Sequence, residues 1–165
     1  MISSDVTATI QNGDLQRLRS LAETHGAESI RLEAEPEELT SLHLAAGAGQ
    51  IEIVEYLLSE SVKADPNATR INSFTPLHAA AMNGQTEICK ALLNKGARVN
   101  AQTSPQGYAP LHSAAFGGYA ETVQLLLAYG ANPALLNYRN ERPLETARRQ
   151  NQSVVVKLLE EAAQQ

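Results

Sequence analysis

Thr75-Pro76-Leu77-His78-Ala79-Ala80-Ala81 returns, altered, at three other places in the chain. Upstream stands Ser41-Leu42-His43-Leu44-Ala45-Ala46. Downstream stand Pro110-Leu111-His112-Ser113-Ala114-Ala115 and a worn copy, Pro143-Leu144-Glu145-Thr146-Ala147. The shared leucine falls at positions 42, 77, 111 and 144, so the steps are 35, 34 and 33 residues. Self-similarity at such a period is the mark of a stacked array, in which each small unit hides its apolar face against the next.

The residue types inside the motif predict a helix start. Proline fits the first helical position, where its missing N–H leaves no bond unmade. Threonine before it can cap the free amides of the first turn. The alanines are strong helix formers and let neighbouring helices approach closely. A glycine follows each of the first three motifs, and after all four comes a second apolar-rich stretch: residues 51–58, 86–93, 120–127 and 153–160. In these stretches Leu57, Leu92, Leu126 and Leu159 share one column, and Val54, Cys89, Val123 and Val156 share another. Apolar choices recurring three and four residues apart predict helices. Gly96-Ala97 and Gly130-Ala131 follow two of them, where glycine can take the left-handed conformation that ends a helix. Each unit thus reads as turn, helix, tight loop, helix and a short extended hairpin.

This pattern resembles the ankyrin-repeat family. Its Thr-Pro-Leu-His-x-Ala signature stands intact at Thr75–Ala80 and nearly so at Ala109–Ala114. The resemblance covers nearly the whole chain and implies an all-α solenoid of helix-loop-helix units joined by β-hairpin-like loops. About five repeats are expected, over residues 5–34, 35–69, 70–103, 104–136 and 137–165, within a single domain. The outer two are read as caps. Arg17 stands where an inner repeat has isoleucine, and Glu160 replaces the leucine of its column. Polar outer faces of this kind close an array, so the array is expected to be complete. Three connections depart from the family's spacing. Residues 59–66 are two longer and lack the glycine, residues 102–108 carry one extra residue including Pro105, and residues 28–39 are about two longer.

The resemblance also implies roles. The motif histidine bonds within its turn and to the neighbouring repeat. Partners are gripped by hairpin tips and by the exposed side of each first helix. Carried over by alignment, those positions are Ile71, Asn72, Phe74, Met82 and Asn83 in the third repeat. They are Pro105, Gln106, Tyr108 and Phe116 in the fourth, and Tyr138, Arg139, Glu141 and Arg149 in the fifth. The chain has seven aromatics, and four of them fall in this set, as expected of a stripe built for binding. The alternative for Phe74 and Tyr108 is packing beneath the next hairpin. Asn100 occupies a hairpin position that an oxygen-sensing dioxygenase can hydroxylate in this family; a turn-stabilising asparagine is the plainer reading.

Composition narrows the rest. At 165 residues and 43% hydrophobic content, a packed core is within reach. The net charge of −5 argues against general affinity for nucleic acid or anionic membrane. Residues 1–66 carry 12 acids against 4 bases, whereas residues 67–165 carry 6 against 9. A partner of mixed charge would therefore have a preferred direction along the array. Met1 to Leu15 lacks the regions of a signal peptide, and no apolar run has the length of a membrane span. With one cysteine there is no internal disulfide. A cytoplasmic monomer is expected, nuclear or secreted-effector settings remaining open.

No catalytic constellation emerges, and no cofactor is expected. His43, His78 and His112 sit at equivalent places in successive repeats, so their rings should be about 8–10 Å apart, as packed helices are. Zinc ligands lie about 2 Å from their metal, which leaves no shared site. Cys89, in the apolar column, reads as a buried, inert thiol. Glu33, Glu35, Glu37 and Glu38 read as a solvated loop without calcium-binding spacing. The leading function is a protein-binding adaptor. The competing one is a targeting or regulatory module of a secreted effector or multi-subunit enzyme whose activity lies elsewhere.

Overall fold

In the computed structural model, residues 2–32 and 39–164 are described. Ten α-helices lie among them and fall into five antiparallel pairs. The pairs are α1 (Ile2–Gln11) with α2 (Leu15–His25), α3 (Ser41–Ala48) with α4 (Ile51–Leu57), and α5 (Pro76–Met82) with α6 (Thr86–Asn94). Then come α7 (Pro110–Gly117) with α8 (Ala120–Ala128) and α9 (Pro143–Arg149) with α10 (Ser153–Ala162). The first helices contact one another in series, α1 on α3 on α5 on α7 on α9, and the second helices from α4 to α10 do the same. This is the expected all-α solenoid. The first helix already begins at Ile2, ahead of residue 5.

The columns read from the sequence are the core. Leu42, Leu77 and Leu111 are almost wholly buried, as are Leu57, Leu92, Leu126 and Leu159. Ala45, Ala80, Ala114 and Ala147 have no exposed surface, consistent with close helix approach. Val156 departs from its column. It is only partly buried. Val155 is buried beside it, as its counterparts Ile53, Ile88 and Thr122 are in the inner repeats. At that end Glu160 pairs with Arg148 at 2.6 Å, so the polar cap is also an ion pair.

Loop geometry follows the irregularities in spacing. Ala97 N–H donates to Leu92 O at 3.0 Å and Ala131 N–H to Leu126 O at 2.9 Å; Gly96 and Gly130, just before, have φ of 86° and 84°. In the longer loop Ala64 N–H donates to Leu57 O at 2.9 Å, so Ala64 is the counterpart of Ala97. Lys63 then takes the left-handed place that glycine fills elsewhere, with φ 57°. Hairpins close by Arg70 N–H to Phe74 O (3.1 Å), Thr103 N–H to Tyr108 O (2.9 Å) and Asn137 N–H to Glu141 O (3.0 Å). The middle hairpin holds the extra residue, and its Ser104–Pro105 bond is cis. Successive tips are also tied: Ser104 N–H donates to Asn72 O at 2.7 Å, and Tyr138 N–H to Gln106 O at 2.9 Å. The hairpins thereby stand as one continuous wall beside the first helices.

Candidate functional site: the groove between hairpins and first helices

Three buried histidines lock each hairpin to the preceding first helix. His43 Nε2 lies 3.0 Å from Phe74 O, His78 Nε2 2.9 Å from Tyr108 O, and His112 Nε2 3.0 Å from Glu141 O. A carbonyl oxygen only accepts, so Nε2 carries the proton and donates. Nδ1 is left as an acceptor, and it faces its own N-cap. It lies 2.7 Å from the Thr40 hydroxyl in His43 and 2.8 Å from that of Thr75 in His78. Backbone N–H groups of Thr75 and Ala109 donate to Nδ1 of His78 and His112 at 3.2 and 3.1 Å. Burial away from water holds His43 and His78 down from 6.5 to about 4, and moves His112 the same way. The rings are neutral rivets between repeats, as the resemblance implied.

On this frame the hairpin side chains form one wall of a groove of about 540 Å³, and α5 and α7 form the other. Phe74 stacks between two histidines, 6.2 Å from the ring of His43 and 5.5 Å from that of His78. Tyr108 meets His112 edge-on at 5.8 Å and Tyr138 at 6.0 Å. Both rings are half-buried, so each is at once structural and part of the groove surface. Ile71, Met82 and Phe116 are 58%, 50% and 52% exposed. Asn72 and Gln106 place side-chain amides along the hairpin rim.

Seven of the thirteen positions expected to meet a partner line this groove: Ile71, Asn72, Phe74, Met82, Gln106, Tyr108 and Phe116. Tyr138, 55% exposed, extends it through its contact with Tyr108. The other five stand apart from the groove lining. Pro105 and Asn83 are exposed, and Asn83 turns its amide onto Ala79 O at 2.9 Å. Glu141 and Arg149 are engaged with each other at 3.2 Å. Arg139 lies over the Tyr138 ring, its guanidinium carbon 5.1 Å from the centroid, and donates to the phenol oxygen. Arg142 grips Glu145 through two contacts, of 2.9 and 2.7 Å. The basic crowd at this end is therefore largely neutralised by its own carboxylates. The acidic stretch expected to oppose it, Glu33 to Glu38, lies outside the described residues.

Leu39, Arg70, Thr103 and Ser113 also line the groove, and the sequence reading assigned none of them to the partner surface. Leu39 shares the column of Phe74 and Tyr108, at the same 35- and 34-residue steps, and is 42% exposed. Arg70 opens its hairpin as Thr103 opens the next. The repeat spacing alone would have found Leu39. Asn100 donates to Gly130 O at 3.1 Å and accepts from Asn132 N–H at 2.8 Å, tying one loop to the next. Asn67 does the same one repeat earlier, with Gly96 O and Arg98 N–H. Cys89 is buried, and burial pushes its thiol up to about 12.

Comparison with known families bears on the whole arrangement. The family model described as ankyrin repeats in three copies matches residues 6–103 and, overlapping, 62–137. The chain is an ankyrin-repeat protein. Among curated proteins none matches it. Ankyrin repeats generally serve as protein–protein interaction modules, and the family is typically non-enzymatic. Among the described residues, no helix of this ankyrin array is long and apolar enough to cross a membrane.

Proposed function

We propose that the chain is a protein-binding adaptor that grips its partner along the groove between hairpin tips and first helices. The observation that carries this reading is the exposure of Ile71, Met82, Phe116 and Tyr138 on one face. Leaving large apolar side chains in water gives up the stabilisation their burial would bring, about 1.5–3 kcal/mol for each one fully covered. A partner that covers them recovers part of it. Aromatic and long apolar groups are also the side chains that dominate protein interfaces. The adaptor works as a cytoplasmic monomer without catalysis of its own, and its specificity lies in the hairpin tips. Affinity capture from a native lysate, with Met82→Ser/Phe116→Ser as the comparison, tests this. Both side chains are half in water, so the variant should keep its helical circular dichroism and its melting temperature within a few degrees. It should lose the captured protein. Undiminished capture by the variant would refute the groove as the binding surface.

A further inference from the structure

Among the described residues, the single charged one along the groove is Arg70, at its N-terminal end beside Ile71. A guanidinium has five N–H donors. Two of Arg70's are engaged, with Thr69 O at 3.0 Å and Leu32 O at 3.5 Å. Its Nε is buried and finds no acceptor among the described residues. No carboxylate within the described residues neutralises Arg70, whereas Arg142, Arg148 and Arg149 each hold a glutamate. A half-buried cation with no carboxylate pairing it among the described residues is a place where an incoming anion would gain a partner. Next to it the groove is apolar, through Phe74, Met82 and Phe116. The rim amides of Asn72 and Gln106 make no hydrogen bond to the described residues, and each can both donate and accept.

We propose that the groove takes an extended, apolar segment of the partner protein carrying a carboxylate that seats on Arg70. This rests on the adaptor reading and adds the chemistry of what is held. The rim amides favour a peptide over a hydrocarbon chain, because peptide N–H and C=O groups match them while an acyl chain would leave them unpaired. The polarity is fixed as well: the acidic side chain lies towards α3 and the apolar ones towards α7.

The test uses the intact chain as bait against a displayed library of random peptides, followed by fluorescence anisotropy with a selected peptide. Selected sequences should carry an Asp or Glu beside apolar residues. Changing that acid to its amide should weaken binding to the native chain by about tenfold. Against Arg70→Gln the same change should have little effect, since the interaction is already gone. Affinity for the native chain should fall with added salt and be lost in Phe116→Ser. Peptides that lose binding in Phe116→Ser yet show no acid preference, or bind Arg70→Gln as well as the native chain, overturn the carboxylate seat and leave the groove standing. Peptides indifferent to Phe116→Ser, or a library that yields no binder, overturn both.

Discussion

Acidification should destabilise this protein through its histidine rivets before its carboxylates are neutralised. His43 and His78 are held at about 4 in the folded chain, against 6.5 for an ordinary histidine, because burial disfavours the charged ring. A group whose folded pKa is depressed gives full stability above its unfolded value and loses it as pH falls towards the folded one. At about pH 5 the unfolded rings are almost fully protonated while the folded ones remain mostly neutral. The linkage relation then gives a loss of about 2 kcal/mol for each ring relative to neutral pH, or about 4 kcal/mol for the two. His112 adds to it in the same direction. That is a large part of a typical domain's stability of about 5–15 kcal/mol. Urea unfolding followed by circular dichroism at about pH 7.5 and about pH 5 reads the difference directly. Nitrogen chemical shifts of the imidazoles at neutral pH should show the proton on Nε2 in all three rings. A urea midpoint that does not move between the two pH values would refute the assignment of neutral, desolvated rivets. Nδ1-protonated rings would refute the bonding pattern that makes them so.

Three further outcomes follow from the local geometry. Ala109→Thr should stabilise the array by about 1 kcal/mol in urea unfolding, because it restores the cap that Thr75 provides one repeat earlier. Lys63→Gly should raise stability by about 0.5 kcal/mol, since a side chain at φ 57° carries a cost that glycine avoids, offset by glycine's looser unfolded state. Native-state labelling of Cys89 by a thiol reagent should be negligible at neutral pH and complete in denaturant, because the sulfur is buried and its pKa is raised to about 12.

The buried side of the fold was legible because burial imposes a period. Leucine at 42, 77, 111 and 144, and alanine three residues after each, can only repeat like this if each sits in the same environment. The extra hairpin residue between Thr103 and Tyr108 was legible for the same reason: the repeat on either side sets the expected length. What escaped was whatever depends on how one helix or loop meets another. Arg148 and Glu160 are twelve residues apart, and only the pairing of α9 with α10 brings them together. The left-handed turn at Lys63 was hidden because the glycine that usually announces it is missing. Only the hydrogen bond from Ala64 to Leu57 reveals the equivalence with Ala97. The half-burial of Phe74 and Tyr108 likewise draws on rings of adjoining repeats, His43 against Phe74 and Tyr138 against Tyr108, besides His78 and His112 of their own.

The contrast between columns is itself an argument about function. Five residues beyond the repeating leucine the chain has Gly47, Met82, Phe116 and Arg149, four side chains with nothing in common. Stacking does not choose between Met82 and Phe116, because both are half in water. The column of Leu39, Phe74, Tyr108 and Glu141 varies in the same way. Its constant feature is the backbone: the carbonyls of Phe74, Tyr108 and Glu141 each receive a histidine N–H. A frame that fixes the backbone through histidine leaves the side chains at these two columns free to differ. The same bonds that build the solenoid thus deliver a rigid groove whose surface chemistry, apolar in the middle with Arg70 at one end, is set independently of the fold.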